Sequence, residues 1–406
     1  MPNIFIVGII IFTGFIMGEL VTRIRLPKVT GYILAGILLN PGVFNFIPKD
    51  ILNHTNLITN ISLSFITFSV GGTLFYPRIK KLGKGILYIT LFEAEMAFIL
   101  VIAGLLLVMP FFIHPSQGAS WIYTFVPVAV LMASLASPTD PSATLAVVHE
   151  YKAKGEVSST IMGVSAMDDV LGIINYSLAV IVAQTILMHQ NFSFMSSLGK
   201  PVFIILGTIL LGIVFGWIFN VITLWIKKES EGFFIVLIFA LLTLCFGSAA
   251  LLGLNELLAT MTMGIVVVNF NFKREKIFKV LERYTEELIF ALFFTISGMQ
   301  LNFAIFSKYL IIVLFFVIFR ILGKVSGTLI GATLAKSSKK VRFYTSGGLI
   351  PQGGIVVGLA LLMKQNPAFS HISDIIISII IGSTVIHELM GPVFAEISLR
   401  KAGEIK

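Results

Sequence analysis

Thirteen apolar stretches, separated by short polar loops, account for most of this sequence. They lie near 3–21, 29–40, 57–76, 85–110, 120–149, 157–186, 201–226, 232–250, 254–270, 285–302, 308–335, 343–363 and 370–397. A hydrocarbon layer about 30 Å thick needs about 20 apolar residues as a helix to cross it. Most of the stretches meet that length. Only 12% of the 406 residues are charged, where soluble proteins carry roughly 25%. So few charges cannot coat a water-soluble globule of this size. A soluble enzyme, a disordered chain and a secreted disulfide scaffold are therefore excluded. Lipid leaves two ways to satisfy the backbone, helices and closed barrels. A barrel needs ten-residue strands of alternating polarity, whereas these runs are long and unbroken. The expected fold class is an all-α polytopic membrane protein with 13 transmembrane helices.

Basic residues set the orientation, because cytoplasmic loops collect Lys and Arg. Of the 29 Lys and Arg, only Lys49, Lys200, Lys308 and Lys364 follow even-numbered stretches, and Arg320 and Lys324 lie inside one. All the others follow odd-numbered stretches, in groups such as Lys273, Arg274, Lys276, Lys279 and Arg283. Odd loops are thus expected in the cytoplasm, with the N-terminus outside and the C-terminus cytoplasmic. The net charge of +9 reflects these loops and calls for no nucleic-acid partner. Met1-Pro2-Asn3 lacks the basic region of a cleaved signal, so the first stretch is read as mature structure. The single cysteine, Cys245, excludes an intrachain disulfide. The short loops leave the chemistry to the membrane interior.

An ionisable side chain at the bilayer centre costs roughly 2.5–3.5 kcal/mol on the insertion scale, so each one is a functional candidate. Here the set is Asp140, Asp168, Asp169, Arg320 and Lys324, with Glu93 and Glu95 nearer a span end. At about 1.5 Å of rise per residue, Asp168 and Lys324 each lie roughly 17 Å from the cytoplasmic end of their spans. They reach one level and suit a buried ion pair. Neighbouring helix residues point about 100° apart, so Asp168 and Asp169 cannot both face Lys324. One carboxylate must be protonated, hydrated or neutralised by a bound ion. A site that holds either a cation or protons is what an exchanger requires.

Two stretches are broken at mid-depth. The fifth contains Ser137-Pro138-Thr139-Asp140-Pro141, and the twelfth contains Gly347-Gly348-Leu349-Ile350-Pro351-Gln352-Gly353-Gly354. Proline removes a helix donor, and irregular backbone at this depth is tolerated only in a cavity or inside protein. One break runs inward and the other outward at matching depth, the pattern of an inverted-repeat transporter with its site between them. Spans 4–6 and 11–13 form the expected repeats. Gly31 and Gly36 read as close-packing positions, and His387-Glu388 only superficially resembles a metal pair.

Five segments now carry a family resemblance: LPKVTGYILAGILLNPG (26–42), ASPTDPSATLAVV (136–148), SAMDDVLGII (165–174), GKVSG (323–327) and GLIPQGGIVVGLAL (348–361). In this order they resemble monovalent cation:proton antiporters of the NapA/NhaA type, over essentially the whole chain. The resemblance implies the NhaA-like fold, inverted repeats with two crossed broken helices. It implies Asp169 as principal Na+ ligand and Asp168 as its partner, paired with Lys324 in a proton switch. Thr139 and Asp140 would sit at the crossing, binding or tuning the ion, with Arg320 and Gln352 as accessory candidates. It further implies a homodimer in the lipid bilayer of the cell (inner/cytoplasmic) membrane. Residues 1–84 and 188–304 would be scaffold and dimerisation helices. Residues 85–187 and 305–406 would be the two core repeats, moving in an elevator-like cycle. Members often place a basic and an acidic residue where this chain has neutral Pro351-Gln352-Gly353-Gly354. The Thr-Asp-Pro string looks more like the electroneutral branch, in which an arginine replaces the lysine, a part open to Arg320. The double aspartate favours the electrogenic branch.

The expected function is secondary active exchange of Na+, with Li+ as a further cargo, for H+. No cofactor is expected. K+/H+ exchange and electroneutral Na+/H+ exchange are the alternatives. An organic-anion symporter on the same fold fits poorly with carboxylates at the site. An intramembrane aspartyl protease is the reading from another class. It calls for a dyad on separate helices with a GxGD string, but here the aspartates are adjacent and that string is absent. The protein is therefore expected not to be an enzyme.

Overall fold

The computed structural model describes residues 3–23, 26, 28–42, 47–48, 55–112, 120–140, 144, 147–148, 151, 153–188, 194–226 and 230–405. The described residues are overwhelmingly helical. In chain order the helices are α1 (Asn3–Thr22), α2 (Lys28–Leu38), α3 (Asn56–Thr73), α4 (Tyr76–Phe112), α5 (Trp121–Ser134) and α6 (Glu156–Leu187). There follow α7 (Phe194–Trp225), α8 (Glu231–Leu251), α9 (Glu256–Phe270), α10 (Arg274–Leu281), α11 (Glu287–Met299) and α12 (Phe303–Lys308). The last four are α13 (Leu310–Leu334), α14 (Lys339–Tyr344), α15 (Ile355–Gln365) and α16 (Ser373–Ala402).

Helix falls on every apolar stretch named above, continuous in most and interrupted in the fifth and twelfth. Among the described residues, seven segments are long and apolar enough to cross a membrane: Ile4–Thr22, Gly83–Phe112, Glu156–Leu187, Phe203–Trp225, Glu231–Leu251, Leu310–Leu334 and Ser373–Ala402. α2, α5, α9, α11 and α15 are apolar but shorter. Within α4, Gly83 takes φ 79°, which breaks the helix there.

The chain divides into two compact units. One comprises residues 53–81 and 191–293. Its core is Phe68, Phe219, Phe234, Ile238, Leu242, Cys245 and Met263, from α3, α7, α8 and α9. α3 and α9 touch backbone to backbone, because Gly71 faces Met261 and Gly264 faces Phe68. Next to that seam the Thr67 and Thr260 hydroxyls bond at 2.6 Å.

The other unit comprises residues 1–52, 82–190 and 294–406, and it holds the interrupted stretches. Its packing rests on small residues, as expected where lipid removes the hydrophobic drive between helices. On α13, Gly323, Gly327 and Gly331 recur one turn apart and press on the backbone of α4 between Tyr88 and Ala97. On α2, Gly31 lies against Met17 and Gly18 of α1, and Gly36 against Thr295 and Gly298 of α11.

Candidate functional site

The site is built where the two helix interruptions meet. Past the end of α5, residues 135–140 leave the helical path. Past α14, a 3-10 turn (Thr345–Leu349) leads into non-helical residues up to the start of α15. The two segments run antiparallel and pair through an isolated bridge between Thr139 and Gln352. Asp140 N donates to Pro351 O at 3.3 Å, and Gly353 N to Pro138 O at 3.1 Å. The Gln352 side chain donates to Leu135 O at 3.3 Å and accepts from Ser383 Oγ of α16 at 3.0 Å. Pro141, the second proline of the fifth stretch, lies outside the described residues.

Breaking two helices strands their carbonyls, and Arg320 of α13 takes them up. Its Nε donates to Ala136 O at 2.9 Å, and one terminal nitrogen donates to Ile350 O at 2.5 Å. The other terminal nitrogen donates to Pro138 O at 2.8 Å and Pro351 O at 3.2 Å. Four of the five guanidinium donors thus end on backbone, two on each interrupted segment. Arg320 is fully buried. Only a planar fork spans four acceptors in this way, which a lysine cannot do.

One turn further along α13, Lys324 has three N–H donors and three acceptors. One is the Glu93 carboxylate on α4, in direct ion-pair contact. The second is Ser137 O at 2.6 Å and the third Thr139 Oγ1 at 2.9 Å. The Thr139 hydroxyl in turn donates a short hydrogen bond to Asp168 Oδ2 on α6. Lys324 Nζ is 3.6 Å from that same oxygen. Lys324 and Asp168 therefore act on each other through space and through Thr139, while the direct bond goes to Glu93. The glycine seam explains the contact, since Gly327 rests on Phe92 and Glu93 themselves.

On α6, Asp168 Oδ1 and Asp169 Oδ1 are buried and have no hydrogen-bond partner among the described residues. Ser165, one turn before Asp169 on the same face, has its Oγ in the same condition. Two carboxylates and a hydroxyl thus present unused oxygens from one helix. Asp169 is half-buried, and a side chain at position 353 would stand 3.3 Å from its Oδ1. α6 comes this close because Gly172 lies against Pro138. Asp140 is buried beside them, and its carboxyl faces that of Glu388 on α16.

The structure therefore gathers Thr139, Asp140, Asp168, Asp169, Arg320, Lys324 and Gln352 around one crossing. It adds residues that sequence reasoning did not place. The sequence leaves Glu93 between cation binding and structural pairing, and its tie to Lys324 depends on a seam between α4 and α13. Glu95 accepts from Asn175 Nδ2 at 3.2 Å. Ser165 was hidden as an ordinary small helix residue, although its spacing of four from Asp169 is legible. Glu388 was set aside with His387.

Residues 8–396 match the family described as "Sodium/hydrogen exchanger, transmembrane". The chain belongs to this family, within the monovalent cation:proton antiporter superfamily, and is a multi-pass membrane protein. It is 23% identical over 397 residues to a Na(+)/H(+) antiporter of Enterococcus hirae, covering 96% of this chain and 97% of that one. It is 22% identical over 364 residues to the Na(+)/H(+)-K(+) antiporter GerN of Bacillus cereus, covering 88% and 86% respectively. The fold is similar to that of the sodium proton antiporter MjNhaP1 from Methanocaldococcus jannaschii at pH 8. The TM-score is 0.78 at 20% identity, with 98% of each chain covered.

Proposed function

We propose that this antiporter exchanges Na+ for H+ by binding either at Asp169 and Asp168 of α6. The observation that carries this reading is the set of buried oxygens that Asp168, Asp169 and Ser165 of α6 present beside the crossing without a hydrogen-bond partner among the described residues. At low cytoplasmic pH both carboxylates hold protons and Na+ is excluded. As the proton concentration falls they ionise, and Na+ takes oxygens from Asp169, Asp168 and Ser165. Protons returning on the outer side displace it. Either load neutralises the site, so the loaded protein crosses the hydrophobic barrier and the empty one is penalised. Lys324 spends its three N–H on Glu93, Ser137 and Thr139. That supports the two aspartates as the carriers of two protons per Na+, and therefore electrogenic exchange. Thr139 transmits the lysine charge to Asp168 and is the natural gate for the switch.

The remaining architecture belongs to the same proposal: thirteen crossings, inverted repeats at spans 4–6 and 11–13, a homodimer and an elevator-like cycle. Li+ would be a further cargo. The N-terminus is outside and the C-terminus inside the cell membrane. The separate compactness of residues 53–81 and 191–293 supports a scaffold apart from the site-bearing helices. Residues 1–52 group with the site-bearing helices, so their part in a scaffold rests on the resemblance alone. GerN is named as an antiporter of K(+) as well as Na(+), and K+/H+ exchange is accordingly the second reading.

The test is proton flux in proteoliposomes carrying a pH-sensitive dye, with Na+, K+ or Li+ added and the membrane potential clamped or free. Na+-driven proton movement that responds to potential is expected, with an apparent KM for Na+ that falls as pH rises. Asp169→Asn is expected to abolish exchange. Exchange indifferent to potential would overturn the electrogenic part, and no proton movement with any cation would overturn the whole reading.

A further inference from the structure

The polar atoms of α16 that this exchange scheme leaves unused lie together. Glu388 sits midway along the 30-residue helix and is fully buried, as is Thr384 one turn before it. Residues four apart share a helix face. Neither Glu388 Oε1, Glu388 Oε2 nor Thr384 Oγ1 has a hydrogen-bond partner among the described residues. His387 stands beside them on that face. Its Nδ1 bonds Ser383 O at 2.8 Å, and since a carbonyl only accepts, Nδ1 carries the proton. Its Nε2 is then a further acceptor, also buried and without a partner among the described residues.

Across from Glu388 are the Asp140 carboxyl, within hydrogen-bonding reach, and the Arg320 guanidinium. Gly391 rests on Pro351, which seats α16 against the second interrupted segment. Ionised carboxyls only accept, so two facing each other require positive charge between them. Arg320 has committed four of its five donors to backbone carbonyls. Lys324 has committed all three of its own. A single shared proton would serve one oxygen of each acid and leave the second Glu388 oxygen and the Thr384 hydroxyl unserved. A hard cation gathers several oxygens at once.

The geometry points to a second cation station, in which Glu388, with Asp140 and Thr384, holds a monovalent alkali cation next to the Asp168–Asp169 station. The inference rests on the cation-exchange reading above. Asp140 acts electrostatically on both Asp169 and Glu388 and so links the two stations. Cations in both would repel, so the second station loads more weakly when the first is filled.

Equilibrium binding of radioactive Na+ to the purified full-length protein at alkaline pH tests this, using wild type, Asp169→Asn, Glu388→Gln and the double variant. Wild type is expected to bind two Na+ per chain, each single variant one, and the double variant none. Thr384→Val in the Asp169→Asn background keeps every charge of the second station and should weaken its Na+ binding by about tenfold. It carries the test even if Glu388→Gln does not fold. If Asp169→Asn binds no Na+, the second station does not exist while the exchange reading stands. The same holds if the Na+ it retains is unmoved by Glu388→Gln and Thr384→Val. A wild type that neither binds nor exchanges Na+ overturns the exchange reading itself.

Discussion

Glu93 and Lys324 are both fully buried, and each is the other's main reason for being tolerated there. Removing one partner of a buried pair leaves an uncompensated charge, at a cost of about 3–5 kcal/mol. Lys324→Ala should therefore lower thermal stability in detergent sharply, and Glu93→Gln in the same chain should restore much of the loss. If the two losses simply added, the pair would not be coupled. Thr139 invites a finer comparison, because its hydroxyl accepts from Lys324 and donates to Asp168. Thr139→Ser keeps that relay and should keep exchange. Thr139→Val conserves volume, removes the relay, and should shift the pH profile of exchange or abolish it while the protein stays folded. Equal profiles for the two variants would show that the hydroxyl is not the link. The acids and bases of this cluster were legible in the sequence because ionisable residues in apolar runs are costly and so stand out. The Asp168–Lys324 pair suggested by matched depth is present, with Nζ 3.6 Å from Oδ2. Depth fixes only one coordinate, however, and the closer contact of Lys324 with Glu93 follows from the rotation of α13 against α4, which the sequence does not show.

At the scale of elements, the glycine stripe of α13 determines that rotation. A methyl at Gly327 would run into the backbone of Phe92 and Glu93, whereas one at Gly8 of α1 meets nothing within 4 Å. Gly327→Ala should therefore cost about 1–3 kcal/mol through overpacking, besides disturbing the Glu93–Lys324 contact. Gly8→Ala should be neutral. Unfolding midpoints of the two variants measured side by side check the contrast, and similar midpoints would refute the packing account. Arg320 works at this scale too. It joins Ala136 and Pro138 on one interrupted segment to Ile350 and Pro351 on the other. Arg320→Lys keeps the charge but cannot reach four carbonyls, so exchange and thermal stability should fall together. The breaks themselves could be read from proline and glycine in apolar runs. The clamp could not, because backbone carbonyls leave no mark in a sequence, which offers Arg320 only as an accessory candidate one turn from Lys324.

The whole molecule is described by the asymmetry of its charges as much as by its fold. Membrane insertion retains Lys- and Arg-rich loops in the cytoplasm, and that asymmetry predicts a side for every loop. The short helix α12 before α13 contains Ser307 and α14 after it begins at Lys339, both exposed and at opposite ends of a 25-residue apolar helix. Ser307 is assigned outside and Lys339 inside. The chain offers a clean background for a test, since its one cysteine, Cys245, is buried in the core of α3, α7, α8 and α9. A membrane-impermeant maleimide should leave the parent protein unlabelled on intact cells. Ser307→Cys should label at once, and Lys339→Cys only after the membrane is opened. The opposite pattern would invert the orientation and with it the side from which cytoplasmic pH reaches Asp169. Labelling of both on intact cells would break the odd–even alternation, and the count of thirteen crossings would fall with it.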